Sequence, residues 1–284
     1  MKTKLFELIR HRFHPLHRLR KSRVFREWLL PLLDRDIAVQ GGFARKIYVK
    51  AITHSSFYMA SGAIEPRIKS LILSILEKLP AGSVFFDVGA NIGLYTWLAA
   101  EKRNDITIFS FEPDPENFRL LTKTSQMWRA NNVNLRQVGL SDVCGTAAFK
   151  RDTITSATGS FEQAGSFAER HFGIEGGIVQ VPITTIDKVA EVEGLPAIIK
   201  IDIEGHEPKA FAGAWGTIRK ARPLILFEFY SSDPTILSKL IEYEYILFDA
   251  DHGGPHNART LNFVAVISGS PLEAVVRRHL SICD

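Results

Sequence analysis

Val84-Phe85-Phe86-Asp87-Val88-Gly89-Ala90-Asn91-Ile92-Gly93 is the stretch from which the fold is read. Its first half is a short apolar run with one acid near the end, the pattern of a parallel strand buried on both faces. Its second half is a glycine turn, and Ile92 to Glu101 reads as the helix that follows. Glycine permits backbone conformations and close approaches that other residues forbid. A ligand at such a turn is expected to meet backbone N–H groups and a helix N-terminus.

Downstream, strand and helix alternate. Ile106 to Phe111 reads as a strand, Pro115 to Trp128 as a helix, and Val133 to Val138 as a third strand. Ala197 to Ile203 and Leu224 to Phe229 are further buried strands, with helices from Glu207 and over Pro234 to Glu242. Tyr245–Asp249 and Leu261–Ile267 form a final pair around Gly253-Gly254-Pro255, read as an antiparallel edge. Residues 142–185 are rich in Gly, Ser and Thr, with strand pieces at Thr146–Lys150 and Ile178–Ile183, an antiparallel excursion or flap. Upstream, Ile68, Leu71, Ile72, Ile75, Leu76 and Leu79 fall on one face of a helix over 67–79. Residues 37–62 hold strand-like pieces such as Lys46 to Val49, and residues 1–30 read as one or two helices punctuated by Pro15 and Pro31. This order predicts an α/β fold, a mostly parallel sheet with helices on both faces. Two parts are expected, a basic extension over 1–66 and the main domain over 67–284.

The chain has 284 residues, 45% hydrophobic and 23% charged, as in an ordinary globular enzyme. No stretch is long and apolar enough to span a bilayer. The longest apolar block near the start, Trp28 to Leu33, is broken by Pro31, so no cleaved signal peptide is expected. Cys144 and Cys283 lie far apart, which points to a reducing, cytoplasmic setting. Charge is uneven. Residues 1–50 hold thirteen Lys or Arg against four Asp or Glu, a net +9, with His11, His14 and His17 among them, and the remainder is net −5. The arm suits nucleic acid, an anionic membrane surface or an acidic substrate, or it is simply a solvated basic helix.

Three strand ends carry acids. Asp87 precedes the glycine turn. Glu112 follows the second strand, 19 residues after Gly93, where a carboxylate can accept from two ribose hydroxyls. Asp142, in Gly139-Leu140-Ser141-Asp142, can accept from an adenine amine or cap a turn. A dinucleotide fingerprint prefers Gly where Asn91 stands, and the turn has no positive charge for phosphate. The turn suits instead a cofactor with an amino-acid part, whose ammonium Asp87 could receive.

Residues 87–96, Phe111 to Phe118, Leu140-Ser141-Asp142, Thr184 to Asp187, Ile199 to Glu207 and Pro223 to Glu228 resemble the FkbM-type methyltransferases over about residues 83–230. The resemblance implies the class I, Rossmann-like fold with a seven-stranded sheet and S-adenosyl-L-methionine as methyl donor. It implies in-line O-methylation, commonly of sugars, glycans or polyketide-like products. Cofactor contacts are then expected from Asp87, Gly89, Asn91, Gly93, Glu112, Asp142 and Asp202.

A sugar hydroxyl attacks poorly until its proton is taken. Asp202 and Glu204 are two apart at a strand end and share one face if the extended backbone continues. They and His206 are the base candidates, with loop positioning, helix capping by Glu207 and a surface histidine as the plain alternatives. No metal is expected. The oxygen-rich trio Asp202, Glu204 and Glu228, helped by His252 or His256, is the alternative a hard cation would take. The acceptor is expected to be a sugar, glycan or other small molecule. Nucleic acid is disfavoured because Asp202 and Glu204 repel phosphate and no Asn/Asp-Pro-Pro-Tyr/Phe tetrad follows the fourth strand. An RNA methyltransferase and a non-catalytic cofactor-binding module remain as alternatives.

Overall fold

The computed structural model describes residues 22–59, 64–152, 156, 159–161, 177–230 and 233–280. The expected helices before residue 22, with the three arm histidines and Pro15, lie outside these, as do most of the flap over 150–178 and Cys283.

Seven strands form the central sheet in the order β11-β12-β10-β9-β3-β4-β5. They are β3 (Val84–Val88), β4 (Thr107–Phe111), β5 (Val133–Arg136), β9 (Ile198–Ile201), β10 (Leu224–Glu228), β11 (Tyr245–Asp249) and β12 (Asn262–Ile267). Strands β5, β4, β3, β9 and β10 run parallel, and β12 pairs antiparallel with both β10 and β11. This is the class I methyltransferase sheet. The period-2 alternation of its strands divides the interior into two cores. Phe85, Ile108, Ile198, Leu224 and Leu226 face one, and Phe86, Phe109, Ile199, Ile225 and Phe227 face the other. Helices α3 (Pro66–Leu76), α4 (Leu94–Lys102), α5 (Pro115–Trp128) and α10 (Pro271–Leu280) cover the first face. Helices α6 (Ile186–Glu193), α7 (Glu207–Ala212), α8 (Trp215–Ala221) and α9 (Thr235–Glu242) cover the second. From β3 the chain moves to β4 on one side, while β9 adds to its other side. The carboxyl ends of β3, β4, β9 and β10 therefore flank a switch point, where open α/β sheets bind ligands.

The N-terminal segment shares the first core. A π turn (Phe25–Leu29) runs into Leu30–Leu33 to make α1, so Pro31 does not end it. Pro31 is the second residue of the α segment that continues the π turn. Strands β1 (Asp36–Val39) and β2 (Ile47–Lys50) form an antiparallel hairpin, followed by α2 (Ser55–Met59). Ile47 and Val49 are fully buried with Leu71 and Ile72. Asp36 meets Arg119 at 2.6 Å and Lys123, and Lys50 meets Glu116 at 2.9 Å, so ion pairs fasten the hairpin to α5. The Trp128 indole donates to the Lys46 carbonyl at 2.7 Å.

A three-stranded excursion, β6 (Gly139–Leu140), β8 (Ile178–Thr184) and β7 (Gly145–Lys150), stands beside the sheet. Strands β7 and β8 pair antiparallel, as their Gly, Ser and Thr content suggested.

Several boundaries differ from the sequence reading. Helix α4 starts at Leu94, because Gly93 is a left-handed cap with φ +94°. Helix α3 ends at Leu76, and β9 ends at Ile201. Gly93 is also a packing position. A Cβ there would lie 2.3 Å from the Trp97 indole nitrogen, which is itself bonded to the Ile92 carbonyl. Gly93→Ala is therefore expected to lower the unfolding free energy by about 2 kcal/mol or more. Denaturant melts check this, and a loss under about 0.5 kcal/mol contradicts the packing account.

Candidate active site

A cavity of about 440 Å³ opens at the switch point, within the range of cofactor and small-molecule sites. It runs from the glycine turn past Glu112 to Lys200, Asp202, Glu204 and Glu228. Thr53, His54, Phe57 and Glu65 wall it from the N-terminal segment, and Phe149, Asp152, Ser156 and Phe161 from the excursion.

The glycine turn does not present free amides to this cavity. Asn91 takes φ +53°, a left-handed conformation that Asn tolerates. The turn folds on itself as a result. Gly89 N and Ala90 N both donate to the Phe111 carbonyl at 3.0 Å, and Gly93 N donates to the Ala90 carbonyl. Asn91 N donates to Glu112 Oε2 at 2.7 Å, and Ile92 N to the Asn91 side-chain oxygen at 2.7 Å. All five amides are used internally. The expected array of N–H groups facing a ligand is absent from this turn, and with it the cradle a pyrophosphate would need. Gly89 allows a close crossing. A Cβ there would sit 2.0 Å from the Asp202 carbonyl oxygen.

Glu112 lies at the cavity floor, 5% exposed. Besides Asn91 N, its carboxylate accepts from Asp114 N at 2.8 Å. Each oxygen keeps a second lone pair. Burial pushes this carboxyl up to about 8, against the pull of those backbone N–H groups. Asp114 caps α5 and pairs with Arg151 at 2.7 Å. The Asn91 and Asn117 amides both donate to the Ser156 carbonyl, at 2.7 and 3.0 Å, tying the excursion to the turn and to α5. Asn117 lines the cavity, and its side-chain oxygen is buried with no hydrogen-bond partner among the described residues.

At the opposite end the chain leaves β9 and bends. Glu204 has φ +56° and Gly205 +97°, so the extended backbone does not continue through Asp202 and Glu204 as the sequence reading supposed. Glu207, at the start of α7, causes the bend. Its carboxylate accepts from Ile203 N and Gly205 N, each at 3.0 Å, and wraps the loop. The bend still gathers acids. Carboxylate oxygens of Asp202, Glu204 and Glu228 lie within 4.8 Å of one another. Burial, then the charges of Asp202 and Glu228, push Glu204 up to about 9. Burial and the charge of Asp202 push Glu228 up to about 8, and Tyr230 donates its hydroxyl to it. The Lys200 ammonium stands 3.0 Å from Asp202 Oδ2 and 5.1 Å from the centre of the Tyr95 ring. Burial alone would lower Lys200, but Asp202, Asp87 and Glu65 together raise it.

Of the residues read from sequence, Gly89, Asn91, Glu112, Asp202, Glu204 and Glu228 line one cavity. The others are placed elsewhere. Asp87 is buried beneath the turn, accepting from the Thr96 hydroxyl at 2.6 Å. Gly93 packs on Trp97. Asp142 is exposed, its carboxylate accepting from the Ser141 hydroxyl at 2.9 Å. His206 is buried outside the cavity lining, with Nε2 3.0 Å from the Ser141 hydroxyl and its ring 4.7 Å from Phe161. His252 lies beside Asp249 at 3.3 Å and His256 beside the Leu247 carbonyl at 3.3 Å, both on the β11–β12 loop. The sequence reading passed over Lys200, Asn117, Tyr95 and Glu65. Lys200 had a signal, being a lysine inside the apolar run Ile198-Ile199-Lys200-Ile201.

The model of the methyltransferase FkbM domain matches residues 87–253. The chain belongs to the FkbM methyltransferase family. The hexuronic acid methyltransferase AglP of Haloferax volcanii is 27% identical over 175 residues, covering 61% of this chain and 67% of that one. The 31-O-demethyl-FK506 methyltransferase FkbM of Streptomyces tacrolimicus is 31% identical over 176 residues, covering 50% of this chain and 65% of that one. The solved FkbM methyltransferase of Methylobacillus flagellatus KT shares 16% identity with a TM-score of 0.46, over 76% of this chain and 55% of that one. The chain thus spans about two thirds of these two curated relatives and about half of that solved chain. Thr53, His54, Phe57 and Glu65 line the cavity from outside the family-matched span.

The chemistry of S-adenosyl-L-methionine-dependent methylation fits the residues present. The cavity is rich in acidic side chains, which suits a ligand carrying sulfonium and ammonium charges, and the Lys200 ammonium in its lining is paired with Asp202. Glu112 has lone pairs for vicinal hydroxyls, and Asn117 has an unused acceptor.

The raised carboxyls have a consequence for stability. Glu204, Glu228 and Glu112 hold protons in the folded chain at pH values where the unfolded chain, near 4.5, has released them. Their contribution is fully present below about pH 4.5 and is lost as pH rises through 8 to 9. Arg119 holds both Asp36 and Glu116 below the usual carboxylate range, so their contribution is lost only in stronger acid. The melting temperature of the ligand-free protein is expected to fall between about pH 5 and pH 9, with a flatter profile in Glu204→Gln. A melting temperature that rises over that interval contradicts the assignment.

Proposed function

We propose that this protein is an S-adenosyl-L-methionine-dependent O-methyltransferase acting on a hydroxyl of a sugar, glycan or similar small molecule. One observation carries the reading. A single cavity at the switch point has the Glu112 acceptor at one end and the Asp202, Glu204 and Glu228 cluster at the other.

When bound, S-adenosyl-L-methionine supplies an electrophilic methyl group on a positively charged sulfur. Glu112 would hold the ribose hydroxyls, and its bonds to Asn91 N and Asp114 N keep its carboxylate in place. Asp202 shares its oxygen with the Lys200 ammonium. Glu204 and Glu228, raised by burial and by the charge of Asp202, suit uptake of a proton from an acceptor hydroxyl once the pH approaches 8 to 9 and they are ionised. Alignment of that hydroxyl with the methyl group would fall to the walls of the cavity. The names of the two curated relatives, a hexuronic acid methyltransferase and a 31-O-demethyl-FK506 methyltransferase, support a sugar or small-molecule acceptor. An RNA acceptor is disfavoured by the carboxylates around the cavity.

Glu112→Gln is expected to weaken S-adenosylhomocysteine binding by about 1–3 kcal/mol in calorimetry, since it replaces one of the two acceptor oxygens facing the ribose hydroxyls with an N–H donor. Unchanged affinity refutes the ribose assignment. Glu204→Gln is expected to lower kcat about 100-fold while leaving that affinity nearly unchanged. In the unsubstituted protein kcat should climb as pH rises through about 8 to 9, where the cluster loses its proton. Activity that survives chelator assigns the cluster to proton transfer, whereas a loss that magnesium restores assigns it to a cation.

A further inference from the structure

Helix α1 exposes an apolar stripe. Val24, Trp28 and Leu32 recur every four residues and are 65%, 70% and 65% exposed, with Leu29 and Leu33 beside them at 45% and 52%. Phe25 turns inward at 7% exposure and anchors the opposite face. Contiguous exposed apolar residues of this size mark a contact surface. The setting is cationic. Residues 1–35 carry ten Lys or Arg against three Asp or Glu, and Arg23, Arg26 and Arg35 lie within or just beyond α1 itself. Arg23 is paired with Glu27 at 2.7 Å, Arg26 also has a partner, and Arg35 Nε donates to the Leu32 carbonyl at 3.3 Å.

These two properties together select one occupant. A second copy of the chain would bring two such positive segments face to face, a repulsion that disfavours self-pairing through this stripe. A basic helix with Trp and Leu on one face suits the headgroup boundary of an anionic bilayer, where the apolar side chains insert and the cations meet lipid phosphates. No helix among the described residues is long and apolar enough to cross a membrane, so such a contact is peripheral.

We propose that α1 docks this protein on an anionic membrane surface through Trp28, Leu29, Leu32 and Leu33, with Val24 just before it, and that basic residues of the N-terminal sequence contact lipid phosphate. The helix connects directly to the cavity wall. Asp34, which follows α1, accepts from Ile52 N at 2.7 Å and Thr53 N at 3.0 Å, and Thr53 lines the cavity. Docking through α1 thus fixes the cavity relative to the surface, whatever the acceptor proves to be. The proposal does not depend on the methyl-transfer reading.

The test is co-sedimentation of the full chain with phosphatidylcholine vesicles, with and without phosphatidylserine. Binding is expected with phosphatidylserine and not without it, and it should fall with added salt. Trp28→Ser combined with Leu32→Ser should reduce the partition at least about tenfold, with an unchanged thermal melt because both side chains are exposed. Three results overturn the proposal. One is no sedimentation with phosphatidylserine vesicles. Another is equal partition of variant and unsubstituted protein, which assigns binding to charge alone. The third is a concentration-dependent dimer in analytical ultracentrifugation that the double variant abolishes, which assigns the stripe to self-association.

Discussion

One carboxylate, that of Glu112, joins the parts of this molecule that have to meet. It accepts one backbone N–H from the turn after β3 and one from the turn after β4, at 2.7 and 2.8 Å. Two loops from neighbouring strands are held at a single buried group, and the floor of the cavity is the result. Without those two oxygens, the Asn91 and Asp114 amides would be buried with no acceptor, a cost of about 1–3 kcal/mol each. The same geometry leaves outward lone pairs on the carboxylate. A structural clamp and a ligand acceptor are thus one residue.

The second constraint is the crowding of acids where β9 and β10 end. Glu207 bends the loop through two backbone bonds, and the bend brings Asp202 and Glu204 against Glu228. Like charges in a half-buried cluster raise one another's proton affinity. Lys200, buried on the same strand as the bend, offsets part of that charge through Asp202. The fold holds this arrangement by burying two full cores, one on each side of the sheet, so that strain at the strand ends is carried by packing elsewhere.

Much of this was readable from residues alone. The buried run Val84 to Val88 and the alternation after it determine a parallel sheet, because only a strand covered on both faces tolerates such a run. Glu112 was readable from its distance along the chain to Gly93, and Asp202, Glu204 and Glu228 from their places at strand ends. Four details were not. The turn amides point inward because Asn91 adopts a left-handed conformation, and no pattern of residue types specifies where those N–H groups go. Asp142 faces solvent because the chain leaves β6 for the β7–β8 hairpin, a path set by tertiary pairing. His206 is drawn to Ser141, far away in sequence. The N-terminal residues reach the cavity because the β1–β2 hairpin is held to α5 by Asp36, Lys50 and the Trp128–Lys46 bond, long-range contacts with no local signature.

Membership of the FkbM family and the class I sheet establish the framework, and the donors around the cavity give it chemical direction. The account's central claim is that adenosine sits at Glu112 while the sulfur faces the acidic cluster. A crystal structure of the full chain with S-adenosylhomocysteine tests it most directly. The account predicts both ribose hydroxyls on Glu112 and the thioether sulfur directed toward Asp202, Glu204 and Glu228. A ligand whose ribose avoids Glu112, or whose sulfur points away from the three carboxylates, would contradict it.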